Sequence, residues 1–195
     1  MKIPAKWVNI LGLMVITLLA IDVVVLSVKN RDLKDHIREI TGFEPPEPLA
    51  PGTLAEKISV TLLDGRNDSI SYDEAYAKYL LFVFSTSCPH CEANIPRWKS
   101  LNEILDGRCF IIAISIHEVG RTIEYVAKRE FPFYTVSLND SAFYQRYKIS
   151  GVPVTILISE NTTVEGVWRG ELNDDQVGEI LERATVNVTA SINHQ

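Results

Sequence analysis

The sequence has 195 residues, of which 46% are hydrophobic and 23% charged, and this balance is typical of an ordinary globular chain. Its formal net charge of -6 argues against a nucleic-acid-binding surface, because phosphate recognition requires clustered positive charge. Three cysteines are too few for a disulfide-rich scaffold.

The amino terminus contains a long apolar run at residues 7–28, with few polar interruptions. A helix that crosses a bilayer core needs about 20 such residues. A cleaved signal peptide is the alternative, but its apolar region is usually only about 7–15 residues long. We therefore predict a transmembrane anchor at 7–28, after a short flank at 1–6. Positive charges lie on both sides of this run, so they do not settle its orientation.

A juxtamembrane segment at 29–52 follows, and it begins as a charged stretch of helical character. It ends in "FEPPEPLAPG", whose prolines predict a stiff, extended spacer. From 53 to 185, short apolar runs alternate with helical patterns. The runs that predict strands are 57–63, 69–72, 79–85, 109–116, 134–138, 154–158 and 164–168. The patterns that predict helices are 89–105, 119–130, 141–147 and a last helix capped by Asn173 or Asp174. This order predicts an α/β domain with a mixed central sheet, and a flexible tail at 186–195.

The motif Cys88-Pro89-His90-Cys91 lies where a predicted strand ends and a helix begins. Pro89 takes the favoured first position of the helix, so Cys88 faces unpaired N–H groups and the positive end of the helix dipole. Both effects favour a thiolate, and a protonated His90 adds positive charge beside the same sulfur. Cys91 lies one helical turn further and can close a disulfide. Cys88 is thus the predicted attacking nucleophile and Cys91 the resolving thiol.

Two other uses of the cysteine pair are weaker. A zinc site requires four ligands, and the motif supplies only two. The remaining candidate ligands, which form no second close pair, are Cys109, His117, His36 and His194. A purely structural disulfide would close so short a loop that it would stabilise little. Redox exchange is therefore the predicted use of the pair.

These motifs resemble the thioredoxin superfamily, and in particular its membrane-anchored TlpA/ResA-like thiol-disulfide oxidoreductases. The resemblance covers about residues 45–185, and it rests on the strand–C-x-x-C–helix unit, the extra helix and strand at 119–138, and Gly151-Val152-Pro153. It implies a thioredoxin-like fold with an N-terminal hairpin and a helix-strand insertion. It also implies a cis peptide bond before Pro153 and backbone groups on Val152 that receive an extended client strand.

The sequence departs from this family's usual pattern at several positions. Ser87 stands where TlpA-like proteins usually have Trp, and Asn94 stands where many carry a Glu that handles protons. The strand before the motif also lacks the acid that thioredoxins bury beneath their cysteines. The Pro-His dipeptide is instead that of DsbA-type oxidases, in which a stabilised thiolate makes the disulfide a stronger oxidant. The direction of electron transfer is left open, because partner proteins set it.

The resemblance implies a single-pass membrane protein whose domain lies on the extracytoplasmic (periplasmic) side. Its expected partners are client proteins that carry cysteine thiols or disulfides, and a membrane redox partner that recycles the pair. No cofactor, metal or nucleic acid is expected. Three rivals remain. A peroxiredoxin requires proline at position 81, which is Leu81. A Sco-like metal-delivery protein uses C-x-x-x-C, one residue longer, and a binding module would keep the fold without the chemistry.

Residues outside the motif have simpler predicted roles. Cys109 opens a buried strand and is expected to be an inert core thiol. His117 ends the same strand and is expected to be exposed. Trp98 and Trp168 are expected to pack in the core.

Overall fold

The computed structural model describes residues 5–41, 49–72 and 76–185. The chain falls into two compact units, 1–45 and 46–195. In the first unit, helix α1 spans Ala5–Thr41, and Gly12–Leu33 within it is long and apolar enough to cross a membrane, with a mean hydropathy of 2.2. The predicted anchor overlaps this candidate span. Length and composition are the basis of this assignment, and a signal sequence satisfies the same criteria.

The second unit is built on a mixed sheet of seven strands within the described residues, in the order β2-β1-β5-β4-β3-β6-β7. The strands are β1 Ile58–Leu62, β2 Asn67–Ile70, β3 Lys78–Phe84, β4 Phe110–Ser115, β5 Tyr134–Leu138, β6 Val154–Ser159 and β7 Val164–Arg169. The helices are α2 Pro89–Ile104, α3 Val119–Arg129, α4 Phe143–Arg146 and α5 Asp174–Thr185. Strands β3, β4 and β5 run parallel, and the other neighbours pair antiparallel. The predicted fold class is confirmed, including the N-terminal hairpin and the helix-strand insertion.

Strand β3 is the centre of the sheet, and all seven of its residues are buried. Its last residue, Phe84, pairs with Ser115 of the parallel strand β4. On its other side, Val83 pairs with Val154 of the antiparallel strand β6. The end of β3, the end of β4 and the start of β6 therefore meet at one edge of the sheet. This edge carries the cysteine motif.

The core lies on both faces of the sheet because strand side chains alternate between faces. Leu80 and Phe82 face the layer formed by α2 and α5, whereas Leu81 and Val83 face the opposite layer. On the α2 side, Phe82 stacks on Trp98, with 4.9 Å between ring centroids. Trp98 and Trp168 are both buried, which confirms their predicted packing roles.

The last helix and the start of the domain both pack at the β7 side of the sheet. The Asn173 side chain accepts the Gln176 N–H at 2.9 Å and so caps the first turn of α5. Ile180 buries its side chain on the predicted apolar face of that helix. At the start of the domain, Gly52 N–H donates to the Val164 carbonyl at 2.8 Å. The segment from residue 49 onward therefore contacts the β6–β7 hairpin.

Candidate functional site

Cys88 lies in the short turn between β3 and α2, and it forms the N-cap of the helix. Its backbone is extended, and its sulfur accepts the Cys91 N–H at 3.4 Å. Pro89 occupies the first helical position, where its missing N–H costs nothing. The Cys88 thiol is half-buried. This placement puts the sulfur against the positive end of α2, as the sequence predicts.

The loop before β6 lies beside the same sulfur. The Val152–Pro153 peptide bond is cis, as predicted. The Cys88 thiol donates to the Val152 carbonyl oxygen at 3.6 Å. Four of the residues named from the sequence, Cys88, Cys91, Val152 and Pro153, are thus brought to one place.

The two thiols of the motif differ sharply in their surroundings. Cys91 is fully buried, and burial raises the pKa of its thiol to about 12. The Ser85 main-chain N–H opposes this shift by donating to the Cys91 sulfur. Cys91 therefore stays a neutral thiol at physiological pH, while Cys88 is the accessible sulfur of the pair. All three cysteines carry free thiols in the structure.

His90 contacts the loop after β7. Its Nδ1 lies 2.5 Å from Glu171 Oε1, and the two side chains are 71% and 50% exposed. The pair is an ion pair when His90 is protonated, and solvent screening keeps its strength modest. The sequence pointed to His90 but not to Glu171. The available signal was the β6–β7 hairpin, which returns the chain to the Pro153 end of the sheet.

Asn94 is a buried bridge between α2 and residues 170–172, which we call the 170–172 loop. Its amide nitrogen donates to the Gly170 carbonyl at 3.0 Å, and its amide oxygen accepts the Leu172 N–H at 2.8 Å. The Gly170 N–H in turn donates to the Pro153 carbonyl at 2.9 Å. The 170–172 loop is therefore tied to the motif helix and to the cis peptide together.

His117 is not the exposed residue that the sequence predicted. It is half-buried, and its Nε2 lies 2.9 Å from the Ser85 hydroxyl, just before the cysteine motif. The prediction was wrong because the edge formed by two parallel strands carries the loop after β4 next to the loop after β3. Neither Ser85 nor its contact with His117 was found from the sequence.

Comparisons with known proteins agree with this geometry. Residues 77–164 match the family model for thioredoxin-like proteins. The thiol-disulfide oxidoreductase ResA of Halalkalibacterium halodurans is 28% identical over 130 residues, which cover 65% of this chain and 74% of that protein. The chain has a thioredoxin-like fold and is similar to the TlpA/ResA-like thiol-disulfide oxidoreductases of the thioredoxin superfamily.

Two solved structures share the thioredoxin fold with this chain. StoA from Bacillus subtilis superposes with a TM-score of 0.52 at 18% identity, over 66% of this chain and 98% of that one. A thiol:disulfide interchange protein from Bacteroides sp. superposes with a TM-score of 0.61 at 20% identity, over 75% of this chain and 97% of that one.

Asn94 stands where many TlpA-like proteins carry a Glu that handles protons. In this chain the residue makes a structural contact instead. Its amide donates one hydrogen bond to the 170–172 loop and accepts another from it, and it carries no charge. Glu92, the nearest acid along the helix, points elsewhere and pairs with Arg129. The thioredoxin-like site therefore lacks a carboxylate in these two helical positions that could serve the cysteines.

Cys109 has the predicted properties of a core thiol of the thioredoxin-like domain. It is buried, and burial raises the pKa of its thiol to about 12. Across the described residues, no group of three or more His, Cys, Asp or Glu side chains could hold a metal ion.

Selective alkylation should distinguish the three thiols of this thioredoxin-superfamily protein. In the folded, reduced protein at pH 7.5, iodoacetamide should modify Cys88 and leave Cys91 and Cys109 unmodified. The reason is that the thiolate reacts, and the two buried thiols with a raised pKa of about 12 are protonated at that pH. Peptide mass spectrometry reads the outcome directly. In urea all three should react, and equal labelling of Cys91 and Cys88 in the folded protein would contradict the assigned asymmetry.

Proposed function

We propose that this protein is a membrane-anchored thiol-disulfide oxidoreductase that exchanges disulfides with client proteins through Cys88 and Cys91. One observation carries the proposal. The accessible Cys88 sulfur caps a helix, with the buried Cys91 one turn behind it and the Val152 carbonyl 3.6 Å away. A nucleophile, a resolving thiol and an exposed backbone beside them are the parts that exchange requires.

The reaction proceeds through a mixed disulfide. With the pair oxidised, a client thiolate attacks the Cys88 sulfur, the Cys88–Cys91 bond breaks, and Cys91 leaves and takes up a proton. A second client thiol loses its proton and attacks the client sulfur of the mixed disulfide, which releases Cys88. The client thus loses two electrons to the protein's cysteine pair and the two protons of its thiols to solvent, from which Cys91, and Cys88 when it is protonated, take up theirs. The reverse sequence reduces a client disulfide.

The Val152–Pro153 segment is the proposed binding site for the client chain. Val152 is half-buried and Gly151 exposed, so main-chain groups at this edge are open to an incoming extended segment. Main-chain hydrogen bonding of this kind gives affinity without demanding a particular client sequence. It would hold a client cysteine against Cys88.

The net direction of transfer depends on the reduction potential of the pair and on the membrane redox partner that recycles it. Positive charge near Cys88 stabilises the thiolate, and a stabilised reduced form makes the disulfide more oxidising. The His90 imidazole of the motif contacts the Glu171 carboxylate. The Pro-His dipeptide itself is the feature that indicates an oxidising pair.

The proposed organisation is an anchor at 7–28, a spacer at 29–52, a catalytic domain at 53–185 and a tail at 186–195. Part of the spacer and the tail lie outside the described residues. The proposed location of the domain is the extracytoplasmic (periplasmic) side, where protein disulfides form and persist. The candidate span in α1 supports attachment to the membrane.

The rival functions find less support at this site. In a peroxiredoxin, position 81 would be proline, whereas Leu81 is a fully buried residue in the middle of β3. A Sco-like metal site would need ligands beside the cysteines, and the described residues offer no such cluster. Only a measurement of catalytic activity distinguishes this protein from a binding module that has kept the fold without the chemistry.

An insulin-reduction assay with dithiothreitol tests the catalytic role of Cys88. The parent protein should accelerate insulin reduction, and Cys88→Ala should fall to the uncatalysed rate because no sulfur remains to form the mixed disulfide. Cys109→Ala is the matched control, and it should retain the parent activity. A Cys88→Ala variant that performs like the parent ends the proposal. A redox titration then separates a reductant, at about -270 mV, from an oxidant, at about -120 mV.

A further inference from the structure

Ser85 is the meeting point of several hydrogen bonds directly before the cysteine motif. Its hydroxyl lies 2.9 Å from His117 Nε2 and 3.2 Å from the Ser87 hydroxyl, and it accepts the Ser87 N–H at 3.2 Å. Its main-chain carbonyl accepts the Cys88 N–H at 3.3 Å. The same residue therefore contacts the imidazole through its side chain and supports the turn that carries the nucleophile.

The main chain at His117 is held by hydrogen bonds to three neighbouring residues. The His117 N–H donates to the Ser115 hydroxyl at 3.2 Å, and the His117 carbonyl accepts from Ser137 at 2.6 Å and from Thr122 at 3.3 Å. Ser115, Ser137 and Thr122 are all buried. Hydroxyl groups from β4, α3 and β5 thus fix the main chain from which the His117 side chain reaches Ser85.

We propose that His117 is a positioning residue whose protonation state sets the reactivity of Cys88 through the hydroxyls of Ser85 and Ser87. This proposal rests on the proposed exchange function and deepens it. It assigns a pH-responsive group to a site whose motif helix and preceding strand supply no acid for that role. Histidine suits the role because its charge ordinarily changes between about pH 5 and 8.

In the proposed switch, neutral His117 carries its proton on Nδ1. Its Nε2 then accepts the Ser85 O–H, and the Ser85 oxygen can accept the Ser87 O–H. A protonated imidazole donates its Nε2–H to the Ser85 oxygen, so the Ser85 hydrogen must turn toward the Ser87 oxygen. The Ser87 O–H is then released from Ser85 at the exposed side chain that directly precedes Cys88.

The released hydroxyl can stabilise a sulfur anion at the surface by donating a hydrogen bond to it. That anion is the Cys88 thiolate in the reduced protein or a departing client thiolate during exchange. No electrons move in this step, and the proton that causes it stays on the imidazole. Its effect is therefore a change in the thiolate's stability and reactivity with pH.

Other ionisable groups occur on the elements around His117. They are Cys91, His90 and Glu92 on α2, Glu118 and Arg121 at the start of α3, and Asp140 after β5. Three of these have charged partners of their own, since His90 pairs with Glu171, Glu92 with Arg129 and Asp140 with Arg146. His90 is the second imidazole near Cys88, and it must be separated from His117 by experiment.

The test is the rate of Cys88 alkylation by iodoacetamide from pH 5 to 10, measured on the reduced full-length protein in detergent. In the parent, we expect the alkylation rate to depart by about threefold, between pH 5 and 8, from the curve for a single ionisation, and this departure is a second inflection. A factor of this size corresponds to the free energy of one hydrogen bond. His90→Gln should retain this second inflection. His117→Gln, which keeps a donor but does not titrate, should lose it.

Ser85→Ala provides the decisive control, because it removes the hydroxyl while leaving both imidazoles. The second inflection should disappear in this variant although the His117 imidazole is still present. An inflection that survives in Ser85→Ala or His117→Gln, or that vanishes in His90→Gln, overturns the proposal. Cys88 labelling no faster than that of Cys109 at every pH would instead overturn the exchange function itself. Thermal unfolding curves establish that each variant is folded.

Discussion

Replacement of Cys91 by alanine should convert the protein into a covalent trap for its clients. Cys88 still attacks or is attacked, but the buried thiol that resolves the mixed disulfide is gone. The intermediate should therefore accumulate from an undetectable level to a major fraction of the protein. Non-reducing electrophoresis of cell extracts, followed by mass spectrometry of the shifted bands, measures this outcome.

Two matched variants make the trap experiment specific. Cys109→Ala removes a thiol that is buried like Cys91 but lies outside the motif, and it should form no stable adducts. Cys88→Ala combined with Cys91→Ala should also form none. Adducts that persist in the double variant would refute Cys88 as the attacking sulfur. Exported proteins among the trapped clients would support the extracytoplasmic location, and purely cytoplasmic clients would contradict it.

Replacement of Asn94 by alanine should have the largest effect on stability. The change leaves the Gly170 carbonyl and the Leu172 N–H without their partner, and the Leu172 residue is buried. An unsatisfied buried backbone group costs about 1–3 kcal/mol, so the free energy of unfolding should fall by about 2–4 kcal/mol. Urea denaturation monitored by circular dichroism measures the change.

The same replacement should also loosen the 170–172 loop, and with it the contact between His90 and Glu171. Asn102→Ala is the control, since it removes the same amide from the same helix at a half-buried position. An Asn94→Ala variant within about 0.5 kcal/mol of the parent would refute the bridging role.

The strands and helices of the domain could be predicted closely because their patterns are local. The strand predicted at 134–138 coincides with β5, and the buried run predicted at 79–85 differs from β3 by one residue at each end. Pro89 marks the start of α2 because proline is favoured there and has no N–H to satisfy. Apolar periodicity and helix-start chemistry are therefore sufficient for these elements.

The roles of the cysteine motif and the cis peptide bond before Pro153 were predictable from two short, specific sequence motifs. The contacts that surround them were not, because they join residues far apart in sequence. Asn94 meets the 170–172 loop across more than 75 positions, and Glu171 meets His90 across 81. The positions of polar residues in the sequence have no periodicity that distinguishes an exposed side chain from one that bridges two elements. His117 was misplaced for this reason.

The parallel pairing of β3 with β4 has a consequence for how this protein can change over evolutionary time. Phe84 and Ser115 stand opposite one another, so the residues that follow the two strands share one small volume although the chain between them is long. Selection would therefore act on Ser85 and His117 as a pair, and a substitution at one would favour a compensating substitution at the other. Such coupled substitutions would change the reactivity of the Cys88 thiol while every residue of the cysteine motif stayed the same.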